Sequence, residues 1–200
     1  YMNTLLAITL LIENIISAKI NVLDELPKKI KEQIQYSYPL IKNVCMKIYK
    51  SRNYFFLGSG NSYGTCKYAS AKLWEAGGIQ STDCRLDEFP HGMHLMANNK
   101  DTIFIISSSK KDYILADEMS NILQNIVKNV FVITSSLQFN KNNHLIVNNI
   151  EEGWQPFLET ILIQLICLFI SNNNNYDVIK KNGINNNYRE YSEVHNLLVR

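Results

Sequence analysis

The 200-residue chain carries 20 basic and 18 acidic residues, a formal charge of +2, and this near-balance argues against a nucleic-acid or anionic-membrane partner. Hydrophobic residues make up 46% and charged residues 19%, the usage of a globular chain with one sizeable core rather than of a disordered one. Cys45, Cys66, Cys84 and Cys167 show no Cys-x-x-Cys spacing, which points to reduced thiols in a cytoplasmic protein with neither a metal centre nor a redox cofactor.

Residues 1–20 are apolar, but Glu13 and Asn14 interrupt them and no basic region precedes them, so they read as a helix and not as a membrane span or a leader. Leu5, Leu6, Ile8, Ile12, Ile15 and Ile16 fit a broad stripe expected to be buried. Because the chain opens on Tyr1 within this pattern, a preceding segment is expected. Ile30, Ile34, Leu40, Ile41, Val44, Ile48 and Tyr49, set among lysines, then predict two amphipathic helical pieces separated near Pro39.

The stretch NYFFLGSGNSYGTCKYASAKLWEAGG reads as strand, tight turn and helix, with a helix stop at Gly77 and Gly78. A weakly apolar strand is expected near residues 79–84, followed by apolar runs in TIFIISSS and VFVITSS on either side of the helical DYILADEMSNILQNIVKN. HLIVNN would be a last strand, and WQPFLETILIQLICLFI a long helix, buried or at an interface. Strands apolar throughout and alternating with helices predict an α/β fold: a five-stranded, mostly parallel sheet with helices on both faces. The asparagine-rich stretches after residue 171 read as polar connections.

Ligands of such a sheet sit beyond the carboxyl ends of its strands, where loops meet helix amino ends. Three loops end strands there, and they nominate Gly58, Ser59, Gly60, Asn61, Ser62, Ser107, Ser108 and Ser109 as a substrate-binding rim suited to a sugar phosphate. Glycine and serine are also what tight strand-to-helix turns use, whatever they bind. A dinucleotide fingerprint fits poorly, because Gly64 falls one position late, although Asp83 stands at a plausible distance for a ribose partner. Glu88 and His94 could mimic a metal site but lack a third strong ligand.

FLGSGNSYGTCKYASAKLWEAGGI followed by DEFPHGMHLM resembles the sugar isomerase (SIS) domain family, in particular the second of the paired SIS domains in sugar-phosphate aminotransferases and deglycases. The carriers are the Gly-x-Gly turn, then Lys72, Leu73 and Glu75 on one helix, then Glu88, Phe89, His91 and Gly92. Glu75 and His91 stand 91 − 75 = 16 positions apart, as in the family's catalytic pair. The resemblance implies a SIS, flavodoxin-like domain over residues 51–171. Residues 1–50 would be the end of a first SIS domain plus a linker, and residues 172–200 a tail.

The implied activity interconverts a ketose and an aldose phosphate, or cleaves an aminosugar phosphate, through an enediol or enolamine. Such chemistry needs a carboxylate that carries a proton between neighbouring carbons and a group that moves protons among oxygens. Glu75 suits the first task; an imidazole, whose unperturbed pKa as a residue type lies near neutrality, suits the second, and His91 would supply it. Lys72, three residues before Glu75, could keep the carboxylate charged or touch a substrate oxygen. Lys72 and Glu75 could equally be a solvated helical ion pair. The family further implies a homodimer with a small sugar phosphate as partner, no cofactor, no nucleic acid and no membrane. The second reading is a non-catalytic sugar-phosphate-binding regulatory or dimerisation domain.

Overall fold

The computed structural model describes residues 2–16, 22–107, 112–135, 141–151 and 153–174. Five strands, β1 (Tyr54–Gly58), β2 (Ser81–Arg85), β3 (Thr102–Ile106), β4 (Asn129–Thr134) and β5 (His144–Ile146), form one sheet in the order β2-β1-β3-β4-β5. Every pairing is parallel. Among the described residues the α-helices are α1 (Met2–Ile16), α2 (Val22–Ile48), α3 (Gly60–Gly77), α4 (Tyr113–Leu123) and α5 (Gln155–Asn173).

Alternation along the central strands sorts the core into two layers. Tyr54 and Phe56 of β1, with Phe104 and Ile106 of β3, pack with α2, α3 and α5. Phe55 and Leu57, with Ile103 and Ile105, face α4 and Phe89. Because both faces are covered, β1 and β3 are buried at every position and read as unbroken apolar runs. Phe56, Phe104 and Phe131 stack across three strands at centroid separations of 5.4 and 5.5 Å. β2 is an edge strand with Ser81 and Cys84 buried and the rest part-exposed, which accounts for its polar sequence. α5 has the length and hydropathy of a membrane span, yet 78% of its apolar window is buried within the fold, between α2 and α3.

Two expectations fail. The chain does not break near Pro39: α2 runs through Pro27 and Pro39 as one helix. Its buried residues Gln33, Ser37, Ile41, Cys45 and Ile48 recur at helical spacing across Pro39, which itself faces solvent. The proline's cost of about 3 kcal/mol is opposed by this continuous seam against α5. Gln33 strengthens the seam by donating to Ile146 O (3.1 Å) and accepting from Asn148 N (2.6 Å) at the end of β5. The apolar stripe of α1 is not buried in this chain either. Met2, Leu5 and Thr9 reach the body of the protein, whereas Leu6, Ile8, Ile12 and Ile15 stand exposed, the last 77% so.

Candidate functional site

The carboxyl edge of the sheet is marked by Gly58, Arg85 and Ile106, level with one another in adjacent strands. Gly58 ends β1 where α3 crosses closely. A Cβ there would lie 2.7 Å from Cys66 Sγ and 3.1 Å from Ser62 O, so packing alone requires glycine at this position. Gly60 opens α3 with φ +52°, a conformation that side chains disfavour. Ser59 is half-buried and makes no cap bond to the helix. Asn61 is exposed and lines a cleft of about 440 Å³ with Trp154 and Phe157 at the start of α5.

The other rim candidates divide. Ser62 is not available to a ligand: it is buried and donates to Glu159 Oε1 at 2.7 Å, because the third residue of α3 faces α5. Ser107, at the end of β3, is 2% exposed, and its hydroxyl has no hydrogen-bond partner among the described residues. Ser108 and Ser109 lie outside the described residues.

Lys72 and Glu75 are joined by a hydrogen-bonded ion pair in the last turns of α3. The Glu75 carboxylate holds the Lys72 ammonium above its ordinary pKa, so the lysine stays charged. The Lys72 ammonium also lies 5.7 Å from the centre of the Tyr68 ring. Glu75 remains 60% exposed, on the side of the sheet covered by α5.

The helix carries Glu75 away from that rim. From Gly60 to Glu75 the axis advances by about 22 Å at 1.5 Å per residue, so Glu75 sits toward the opposite end of the strands. His91 is exposed in a 3₁₀ turn, Phe89–His91, that follows β2. Phe89 anchors that turn on Phe55, at 5.8 Å between ring centres, on the face opposite α3. Within one chain, therefore, the sheet itself separates Glu75 from His91, and neither pairs with the other.

One group escaped the sequence reading. Glu159 of α5 is fully buried and accepts hydrogen bonds from Ser62 (2.7 Å) and Thr65 (2.7 Å) in the first turns of α3. It clamps the helix that follows the Gly58–Asn61 loop. Its signal was a lone acid in an otherwise apolar helix, facing two hydroxyls three residues apart. The four cysteines are buried free thiols, and burial raises them all, Cys167 to about 12, which makes each a poor nucleophile.

A doubly wound sheet in this strand order, with this loop and helix after β1, defines the class, and the comparison with known families agrees. The chain belongs to the SIS domain family, whose family model matches residues 47–169. It is similar to the glutamine–fructose-6-phosphate aminotransferase [isomerizing] of Streptococcus mutans, 27% identical over 146 residues, which are 72% of this chain and 24% of that protein. It thus spans about a quarter of the length of that curated relative. Among solved structures it resembles the C-terminal domain of glucosamine-fructose-6-phosphate aminotransferase from Francisella tularensis, with a TM-score of 0.66 and 18% identity over 78% of this chain and 45% of that one. It also resembles the tagatose-6-phosphate ketose/aldose isomerase of Escherichia coli, with a TM-score of 0.64 and 15% identity over 75% of this chain and 43% of that one. At these identities the structures speak for the fold alone.

Proposed function

We propose that the protein processes a sugar phosphate or aminosugar phosphate, as an aldose–ketose isomerase or a deglycase, at a site shared between two SIS modules, most simply two copies of this chain. One copy offers its rim, with Asn61 and the unpartnered Ser107 hydroxyl for ligand oxygens, together with His91. The other brings Lys72 and Glu75. The observation that carries the reading is the Lys72–Glu75 pair, standing open to solvent on a helix whose neighbouring faces are buried. A carboxylate that keeps an ammonium as its partner when a second surface closes over it is not left as an unpaired buried charge and is placed to act as a base.

In that setting Glu75 takes the proton from the carbon beside the carbonyl. The resulting enediol or enolamine receives the proton back at the neighbouring carbon, and His91 shifts protons between the flanking oxygens. Isomerisation balances with proton transfers only; in the deglycase the same shift turns the enolamine into an imine, which takes up one water, breaks its carbon–nitrogen bond and releases the amine. Support comes from membership of the SIS family, from the likeness to an isomerizing aminotransferase, and from the ordered spacing of Lys72, Glu75, Glu88 and His91.

The second reading is a non-catalytic domain that binds sugar phosphate or mediates dimerisation. The 60% exposure of Glu75, far from His91 of its own chain, favours it. Glu75→Gln separates the two: the enzyme loses turnover of ketose phosphates while retaining its ligand affinity, whereas a binding module shows no turnover before or after the change.

A further inference from the structure

The cleft beside Asn61 has a chemistry of its own. Its walls are Leu5 and Thr9 of α1 on one side and Trp154, Pro156 and Phe157 on the other, with Asn61 at the rim end. None of the described residues lining it is ionisable. Thr9 spends its hydroxyl on Leu5 O at 2.9 Å. The free polar groups of the lining side chains are the Asn61 amide and the Trp154 indole N–H, neither of which has a hydrogen-bond partner among the described residues. Trp154 is half-buried and held by stacking on Phe157, 5.8 Å between ring centres with 27° between planes. Its ring is therefore fixed before anything binds, which lowers the ordering cost of a contact made to it.

Among the described residues lining it, a phosphate would find no cation and few donors. A group that is mostly apolar and carries one or two hydrogen-bonding atoms would fit, and about 440 Å³ lies within the range of small-molecule sites. The cleft continues into the rim through Asn61. Resting on the proposed rim as the site of the sugar phosphate, we infer that this cleft is a subsite for an apolar substituent on the sugar. The substrate class is then a ketose phosphate that carries an aromatic or branched aliphatic group at the end remote from the phosphate. Trp154 is the residue that selects for this group, and Asn61 marks the junction between the two parts of the ligand.

The test compares two probes, fructose 6-phosphate and its 1-benzylamino-1-deoxy derivative, titrated calorimetrically into the full chain. Trp74→Phe leaves Trp154 as the sole indole of the two in the sequence, so fluorescence reports directly on the cleft. The benzyl derivative is expected to bind at least about tenfold more tightly, as burial of an aromatic group predicts, and to shift the Trp154 emission. Trp154→Ala should remove that gain. Leu5→Asn, on the opposite wall and at the surface of α1, should do the same without touching α5. Equal affinity for the two probes, or a gain that survives both substitutions, overturns the subsite while leaving the rim reading intact. Failure of both probes to bind overturns the rim reading and the subsite together.

Discussion

Gly58 is the point where structure and function make different claims on one residue. If close packing fixes it, Gly58→Ala places a methyl group 2.7 Å from Cys66 Sγ and 3.1 Å from Ser62 O. Carbon and sulfur sit comfortably nearer 3.5–4 Å, so the overlap is about 1 Å. Overpacking of this size costs about 1–3 kcal/mol. Loss of unfolded-state freedom returns roughly 0.4–1 kcal/mol, which leaves a net destabilisation of about 2.6 kcal/mol at most. For a chain of this length that corresponds to a fall of at most about 5–10 °C in Tm. The assay is urea unfolding of wild type, Gly58→Ala, Cys66→Ala and the double variant. Cys66→Ala opens a small cavity and should cost about 1–2 kcal/mol alone. Because it removes the clashing sulfur, the double variant should be more stable than the sum of the singles by about 1 kcal/mol. Recovery stays incomplete, since the Ser62 carbonyl remains. Additive effects, or a Gly58→Ala variant as stable as wild type, would refute the packing argument and return Gly58 to the ligand.

The buried carboxylate offers a second check. Glu159→Leu strands two buried hydroxyls, Ser62 and Thr65, and should cost about 2–5 kcal/mol. Glu159→Gln, which keeps an acceptor for one of them, should cost less, and chemical denaturation that ranked Leu above Gln in stability would contradict the clamp. A third check concerns His144, whose side chain is 1% exposed, with Nε2 3.7 Å from Asp117 and neither ring nitrogen hydrogen-bonded. Burial lowers its pKa from the ordinary 6.5, Asp117 pulls the other way, and Lys141 adds to the lowering. The unfolded chain therefore binds this proton more readily, so the contribution to stability is present above pH 6.5 and is lost as pH falls below it toward the folded-state pKa. His144→Leu should flatten that part of the profile between pH 7.5 and 5, measured as the urea midpoint; an unchanged slope would show that His144 does not titrate on unfolding.

Much of the fold was legible because its centre is written in unbroken apolar runs. β1 and β3 are buried on both faces, and residue type alone reports that. The end of α3 was legible for a different reason. Gly78 adopts φ +57° and its N–H closes on Trp74 O at 2.9 Å, a geometry that glycine announces in advance. The continuity of α2 was hidden because Pro39 is a breaker by rule, and only tertiary contact against α5 overrides it. The exposure of α1 was hidden because an apolar stripe says that a helix wants a partner, not that this chain supplies one.

The candidate site was legible as residue types and spacing, but not as geometry. Sixteen positions separate Glu75 from His91, and the edge strand between them carries the chain to the other face of the sheet. Ser62 read as a ligand group because it follows a glycine turn, yet helix phase turns it inward to Glu159. No local pattern signals a partner that lies 97 residues away.

The central claim is that Glu75 of one module and His91 of another serve the same ligand. The most direct measurement is deuterium wash-in from solvent at the carbons flanking the carbonyl of fructose 6-phosphate, followed by NMR. It is run with wild type, Glu75→Gln, His91→Ala, and the two variants unfolded and refolded together. The account predicts exchange with wild type, none with either variant alone, and recovery in the mixture to about a quarter of wild type, since half the pairs would hold one intact site of two. Exchange that persists in Glu75→Gln, or a mixture as inert as its components, would contradict it.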